Sequence, residues 1–282
     1  MERRKMSNFA SAYRNSTTHK VMIKALFFDI DGTLVSFNTH AIPQSTVKAL
    51  TRAKEKGIKI FISTGRPMPL INNLGAISHL IDGYVTTNGA CCTIGNEAVR
   101  LTPLDNDDVT TLLDYVQKEK SGCLVMCNEG TSMLNRTAET DHVLYDILNV
   151  ERGVMSMPLD ELVKRPVLQM TPFITLEQEQ ELVPTLKACT ATRWYPAFCD
   201  ITSNQADKGR GLEAVAKAAG IAIEETMAFG DGGNDIPILK RAGTGVAMGN
   251  ALDNVQAAAD YVTADIDDDG VAKALEHFGV TD

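Results

Sequence analysis

The sequence predicts an α/β protein, a doubly wound, Rossmann-like parallel sheet carrying an inserted α+β domain. Three observations lead there. Short apolar runs such as "KALFFD" and "IKIFIST" are hydrophobic on both faces, as strands covered from both sides must be. Such runs alternate with amphipathic segments in the first and last thirds of the chain, which implies crossover helices between parallel strands. Between them lies a stretch with a different rhythm.

"KALFFD" opens the alternation as a strand. "PQSTVKALTRAKEKG" follows as a helix, with Pro43 suited to a first turn, Val47 and Leu50 on one face, and Gly57 at the stop. "IKIFIST" is the second strand, "MPLINNLGAI" a shorter helix and "DGYVTTNG" the third strand. The middle, 90–194, reads as the separate unit. "DNDDVTTLLDYVQKEK" is a helix with acids first and lysines last, matching the helix dipole. A strand in "CLVMC", a helix near "ETDHVLYDILN", a strand in "PVLQMTPF", a helix in "LEQEQELVPTLKA" and a strand in "TRWYP" complete it. The alternation then resumes. "KGRGLEAVAKAAG" is a helix with Leu212, Val215, Ala216 and Ala219 inward. "ETMAFGD", "TGVAMGN" and "DYVT" are strands, and "NDIPILKRAG", "ALDNVQAAA" and "DDGVAKALEHF" are helices. The predicted core is therefore 22–89 with 195–282.

At 282 residues the chain suits two domains. Its formal net charge of -9 argues against a nucleic-acid or anionic-membrane surface. An acidic protein that handles an anion must build a local positive site from a metal, a lysine or helix N-termini. No apolar run approaches membrane-spanning length. The opening 1–21 is basic and polar without an apolar core; it reads as a disordered leader rather than a signal peptide, with a weak likeness to a transit peptide, and Met22 is an alternative start. The six cysteines, Cys91, Cys92, Cys123, Cys127, Cys189 and Cys199, form no CxxC pair. They read as buried thiols in a reducing cytoplasm.

"KALFFDIDGTL" ends a buried strand in two acids. Side chains alternate along a strand, so Asp29 and Asp31 project together at its carboxyl end, where open α/β sheets bind ligands. Asp-Gly is also a hairpin signal, but no partner strand follows before Pro43. The pattern recurs: "IFIST" ends at Ser63, Thr64 and Gly65, and "MAFGD" ends at Gly230 and Asp231. In a parallel sheet these ends share one edge. Asp29, Asp31, Asp231 and Asp235 would then cluster, and a hard divalent cation such as magnesium would relieve their repulsion. Lys208, at the start of a helix aimed at the same edge, supplies one further positive charge.

"DIDGT", "STGR", a lone lysine before a helix and "GDGGND", in that order, resemble the four motifs of the haloacid-dehalogenase-like phosphatases. The insertion resembles the type-IIB cap of the Cof-type sugar phosphatases. That resemblance implies a magnesium-dependent phosphatase for small phosphorylated metabolites, chiefly sugar phosphates. It implies Asp29 as the nucleophile that becomes an aspartyl-phosphate, and Asp31 as general acid and then base. It implies a metal held by the Asp29 carboxylate, the Asp31 backbone carbonyl and Asp231. Thr64 and Gly65 would donate to a phosphate oxygen, Lys208 would balance charge, and Asn234 would bond the phosphate. Asp235 would orient Lys208 or the metal's waters. A phosphomutase and a silent sugar-phosphate-binding protein are the alternatives.

Several residues carry two readings. Thr33 holds Asp31 or caps the turn. Arg66 meets substrate phosphate or makes a salt bridge at the sheet edge. Asn88 contacts substrate or turns with Gly89. Trp194 and Tyr195, near one of two hinges placed at 89 and 195, read as packing. Two departures from the family pattern stand out: Gly232-Gly233 after the fourth-motif aspartate, and "VSFNTHAI" in place of an acidic or serine-rich entry loop.

Overall fold

A computed structural model describes residues 22–148, 150–155 and 157–281; the side chain of Trp194 and the leader expected over 1–21 lie outside this set. The chain begins with strand β1 (Ala25–Phe28), helix α1 (Gln44–Glu55), β2 (Lys59–Ser63) and β3 (Gly83–Thr86). An antiparallel pair follows, β4 (Cys91–Ile94) and β5 (Glu97–Leu101). The second unit holds α2 (Asn106–Glu119), β6 (Cys123–Cys127), β7 (Thr131–Leu134), α3 (Ala138–Asp141), α4 (Leu159–Leu162), β8 (Val167–Pro172), α5 (Leu176–Leu182), β9 (Cys189–Tyr195) and β10 (Phe198–Ser203). The chain then returns through α6 (Lys208–Ala218), β11 (Thr226–Gly230), α7 (Ile236–Arg241), β12 (Thr244–Ala247), α8 (Asp253–Gln256), β13 (Tyr261–Val262) and α9 (Gly270–His277).

Two sheets result. The larger has the order β13-β12-β11-β1-β2-β3-β4-β5, and the smaller β7-β6-β8-β10-β9. β1 lies between β2 and β11, parallel to both, so no hairpin follows Asp29. The chain leaves β1 on one side and comes back on the other. That reversal makes the carboxyl ends of β1, β2 and β11 a natural crevice.

β1 is fully buried because both faces are covered. Leu26 and Phe28 pack with Leu50 of α1 and Leu275 of α9. Ala25 and Phe27 pack with Leu212 of α6 and Leu239 of α7. Phe28 stacks on Phe229 at 4.7 Å, and Phe27 on Phe61 at 4.9 Å. These rings clamp the three central strands side by side and fix where their ends fall.

The boundary between units differs from the expected 90–194. β4 and β5 extend the larger sheet, and β10 belongs to the smaller one. Gly95-Asn96 is a two-residue hairpin loop, with Gly95 at φ 54°. An antiparallel edge on a parallel sheet is common. The crossings therefore fall between Leu101 and Asn106 and between Ser203 and Lys208, not at 89 and 195. The Arg100 guanidinium donates to the Gln205 carbonyl at 2.7 Å and ties the two crossings together.

"MPLINNLGAI" does not form the expected helix. It makes a single 3-10 turn at Met68–Leu70, and Ile71 is extended at φ −93° and ψ 104°. Two prolines and the Asn72-Asn73 pair favour turns over a continued helix. Similarly, "ALDNVQAAA" shrinks to the one turn of α8. Among the described residues no helix is long and apolar enough to cross a membrane.

Asp82, just before β3, links α1 to the sheet. Its carboxylate accepts from Lys54 Nζ at 2.5 Å, the Ile60 N–H at 2.9 Å and Lys59 Nζ at 3.1 Å. Burial alone would raise its pKa, but these bonds outweigh burial and hold the carboxyl below its ordinary value. A carboxyl depressed on folding stabilises the fold above its unfolded pKa, and that contribution is lost as pH falls. Asp82→Asn is expected to lower the unfolding free energy by about 1 kcal/mol at pH 7. In urea titrations the difference from wild type should shrink below about pH 4.

Candidate active site

Three strand ends and one helix start supply the site. Asp29 and Asp31 follow β1, Thr64 and Gly65 follow β2, Asp231 follows β11, and Lys208 opens α6. The Asp207 side chain accepts from the Arg210 N–H and sets the first turn of α6, which fixes where Lys208 begins. Lys208 is 1 % exposed and Asp235 0 %. The ammonium of Lys208 donates to Asp29 Oδ1 and to Asp235 Oδ1, each at 2.6 Å.

Asp235 is committed at both oxygens. Its Oδ2 accepts the N–H of Asp231 at 3.0 Å and of Gly232 at 2.9 Å. Asp235 therefore orients Lys208 and shapes the loop that carries Asp231. Thr33 does neither of the things expected of it, for its hydroxyl donates to Asp231 Oδ1 at 2.8 Å. Gly32, at φ 81°, makes the turn between them; a Cβ there would meet Asp231 Oδ2 at 2.3 Å. The turn is braced by Asn250, whose amide donates to the Gly32 carbonyl at 2.8 Å.

Arg66 makes a salt bridge to Asp31, through Nε and Nη2, with both bonds at 2.8 Å. This pairing holds the Asp31 carboxylate beside, not within, the Lys208 cluster. Thr64 accepts the Arg66 N–H at its hydroxyl oxygen at 3.1 Å, which leaves its hydrogen to be donated. Asn88 takes the left-handed conformation at φ 50° and accepts from Asn234 Nδ2 at 3.0 Å. It thus turns the chain and also holds Asn234 next to Gly65.

These groups open into a cleft of about 770 Å³. Tyr195, expected to pack, does so against Phe198 at 5.6 Å and also lines the cleft. Phe37 of the "VSFNTHAI" loop, Leu176 and Leu252 stand exposed along its walls. Arg193 lines it as well, but its guanidinium already donates to Glu179 and to the carbonyls of Pro196, Ile174 and Thr175. Sequence reasoning missed Asn250 and the cleft-facing role of Phe37. Asn250 follows a strand end in "AMGN", the same signal that flagged Asp231.

Asp29, Asp231 and Asp235 each place an oxygen within 4.8 Å of the others. Three acids share one lysine, so negative charge is in excess. Burial and then the Asp235 charge hold the Asp29 carboxyl well above its ordinary value. Burial and Asp235 likewise push Asp231 up to about 7. Burial would lower Lys208, but Asp235 and Asp29 outweigh it and hold the ammonium above its ordinary value. The donors are all hard oxygens, and Asp235 is used up by Lys208 and the backbone. Asp29 and Asp231 remain to hold a divalent cation, and they fit one.

A family model described as haloacid dehalogenase-like hydrolase matches residues 26–275. The HAD subclass IIB sugar phosphatase BT4131 is 47% identical, with a TM-score of 0.85 over 91% of this chain and 99% of its own. BT1666 from Bacteroides thetaiotaomicron, described among phosphatases of the same superfamily, is 36% identical, with a TM-score of 0.82 over 94% and 98%. The 5-amino-6-(5-phospho-D-ribitylamino)uracil phosphatase YcsE of Bacillus subtilis (strain 168) is 30% identical over 92% of this chain and 96% of its own.

A carboxyl whose pKa rises on folding costs stability as pH rises, here from about 4 toward 7. A bound cation removes that cost. Magnesium chloride should therefore raise Tm more at pH 8 than at pH 5.5. An equal or larger increment at pH 5.5 would contradict the assignment of Asp231 to the cation.

Proposed function

The chain belongs to the haloacid dehalogenase-like hydrolase family, and from that premise we propose that it is a magnesium-dependent phosphatase of small phosphomonoesters, sugar phosphates foremost. The observation that carries this reading is the buried Lys208 held between Asp29 and Asp235 beside Asp231. Such a centre neutralises phosphoryl charge in an acidic chain. The sugar phosphatase among its structural relatives supports the substrate class.

In this reading Asp29 attacks phosphorus and carries the phosphoryl group as an aspartyl-phosphate. Lys208 opposes the burial and the Asp235 charge that favour protonation of Asp29, and it would pull charge from the equatorial oxygens. Thr64, through its remaining hydrogen, and the Gly65 N–H bind a phosphate oxygen; Asn234, held by Asn88, binds another. Asp31 gives a proton to the departing alcohol and then takes one from the attacking water. Arg66 orients Asp31 through both oxygens, and Asp31 frees one of them from Arg66 to carry the proton it gives and takes. The Asp29 and Asp231 carboxylates, with the Asp31 carbonyl, would hold magnesium, which would supply charge neutralisation to the phosphoryl oxygens. The smaller sheet and its helices act as the cap, moving about the tied crossings near 103 and 205. All six cysteines are free thiols, which supports a reducing compartment such as the cytoplasm.

Purified protein with magnesium should release inorganic phosphate from a panel of sugar phosphates. Chelation should stop it, and Asp29→Asn should bring it below detection. Asp31→Asn should slow turnover by about 10²–10⁴-fold. Transfer of the phosphoryl group to a second sugar position, without free phosphate, would indicate a mutase. Binding of the same esters with no turnover would leave only a sugar-phosphate-binding protein.

A further inference from the structure

The second unit gives the catalytic cleft a wall of Leu176, Thr192, Arg193, Tyr195 and Pro196. Leu176 opens α5, and the others lie at the end of β9 and in the turn after it. The same cleft is lined by Asp29, Asp31, Thr64 and Gly65. A phosphate group fills only a small part of its volume of about 770 Å³, so the group it esterifies occupies the space that this wall bounds.

Among the described residues, Arg193 is the cation that the second unit brings to the cleft. An arginine in that place invites an anion-binding role, but its bonding denies one. Nε donates to Glu179 Oε2 at 2.7 Å and Nη1 to the Pro196 carbonyl at 2.8 Å. Nη2 donates to the Ile174 and Thr175 carbonyls at 3.0 and 3.2 Å. A guanidinium has five N–H donors, so most of its capacity is committed within the protein. Its charge is matched by Glu179, and the two side chains are only 17 % and 15 % exposed. A pair so far out of water is costly to separate.

The acceptors belong to two segments. Ile174, Thr175 and Glu179 lead into α5 and form its first turn, and Pro196 lies in the turn between β9 and β10. One rigid, planar fork thus fastens the start of α5 to that turn. Each side of the joint carries an apolar residue of the cleft wall. Leu176 is 51 % exposed and has little packing of its own to fix it. Tyr195 stacks on the buried Phe198 at 5.6 Å. We propose that Arg193 is a positioning residue, which holds Leu176 and Tyr195 as one apolar wall against the leaving group and binds no anion itself. The proposal rests on the phosphatase reading of the cleft. It adds the residue that sets the shape of the wall the leaving group meets.

Calorimetry in an Asp29→Asn background with magnesium can compare inorganic phosphate, glucose 6-phosphate and glucose 1,6-bisphosphate. The two esters share a sugar and differ by one anionic group. Arg193→Met should weaken both by the same factor, about fivefold or more, and leave inorganic phosphate unchanged. Tyr195→Ala should weaken both esters when Arg193 is intact, and much less when Arg193→Met has already loosened the wall. Weakening confined to the bisphosphate would show that Arg193 pairs with anions and would overturn the proposal. So would additive effects of the two substitutions, an equal loss of inorganic phosphate binding, or no change in either ester. Leu176→Ala alters an exposed side chain and keeps the test open if Arg193→Met does not fold. It should weaken both esters and not inorganic phosphate; unaltered ester affinity would overturn the proposal. The two readings fail separately. If Asp29-intact protein releases no phosphate from glucose 6-phosphate while these binding differences persist, the phosphatase reading falls and the role of Arg193 stands.

Discussion

A lysine with no exposed side-chain surface, bonded to two carboxylates, organises this molecule. Charge buried in that way persists only when it is paired and hydrogen-bonded. Lys208 needs Asp29 from the end of β1 and Asp235 from the loop after β11, so the return of the chain after the second unit must land beside the first strand. Asp235 then uses its other oxygen to fold the loop that presents Asp231. One ammonium among three carboxylates leaves an excess of negative charge. That excess is what gives an acidic protein a cation-hungry centre where an anion can be handled.

The sheet makes this arrangement possible. Stacked phenylalanines lock β1 to β2 and β11, and the three strands run the same way. Their carboxyl ends therefore meet at one rim without help from the loops. The core is drawn together again close by. Gly89 passes the start of α6 so closely that a Cβ would lie 2.1 Å from the Asp207 carbonyl oxygen. The strand β3 side of the site and the lysine helix are thus in direct backbone contact. On the proposed function, a cap moving on the tied crossings would change the cleft while Lys208 stays in place.

Much of this was legible in the sequence, because it depended on local chemistry. Buried runs that end in polar residues mark strand ends, and a parallel sheet gathers them; this is how Asp29, Asp31, Thr64 and Asp231 were found. Pairings between distant residues were not legible. Thr33 and Asp231 are 198 positions apart, Asn88 and Asn234 are 146 apart, and Asn250 reaches Gly32 across 218. No periodicity records such bonds. The boundary of the second unit was misplaced for a different reason. Asn88-Gly89 looks like the end of a domain, yet Gly95-Asn96 turns the chain back onto the same sheet. Pro196 looks like the end of a strand, and it sits instead in the turn between β9 and β10.

The account turns on the carboxylate that Lys208 holds. Rapid acid quench during turnover, followed by peptide mass spectrometry, would report which side chain carries phosphorus. The account predicts the mass of one phosphoryl group on the peptide containing Asp29. Phosphate release with that peptide unmodified at every quench time, or with the group on another residue, would contradict it.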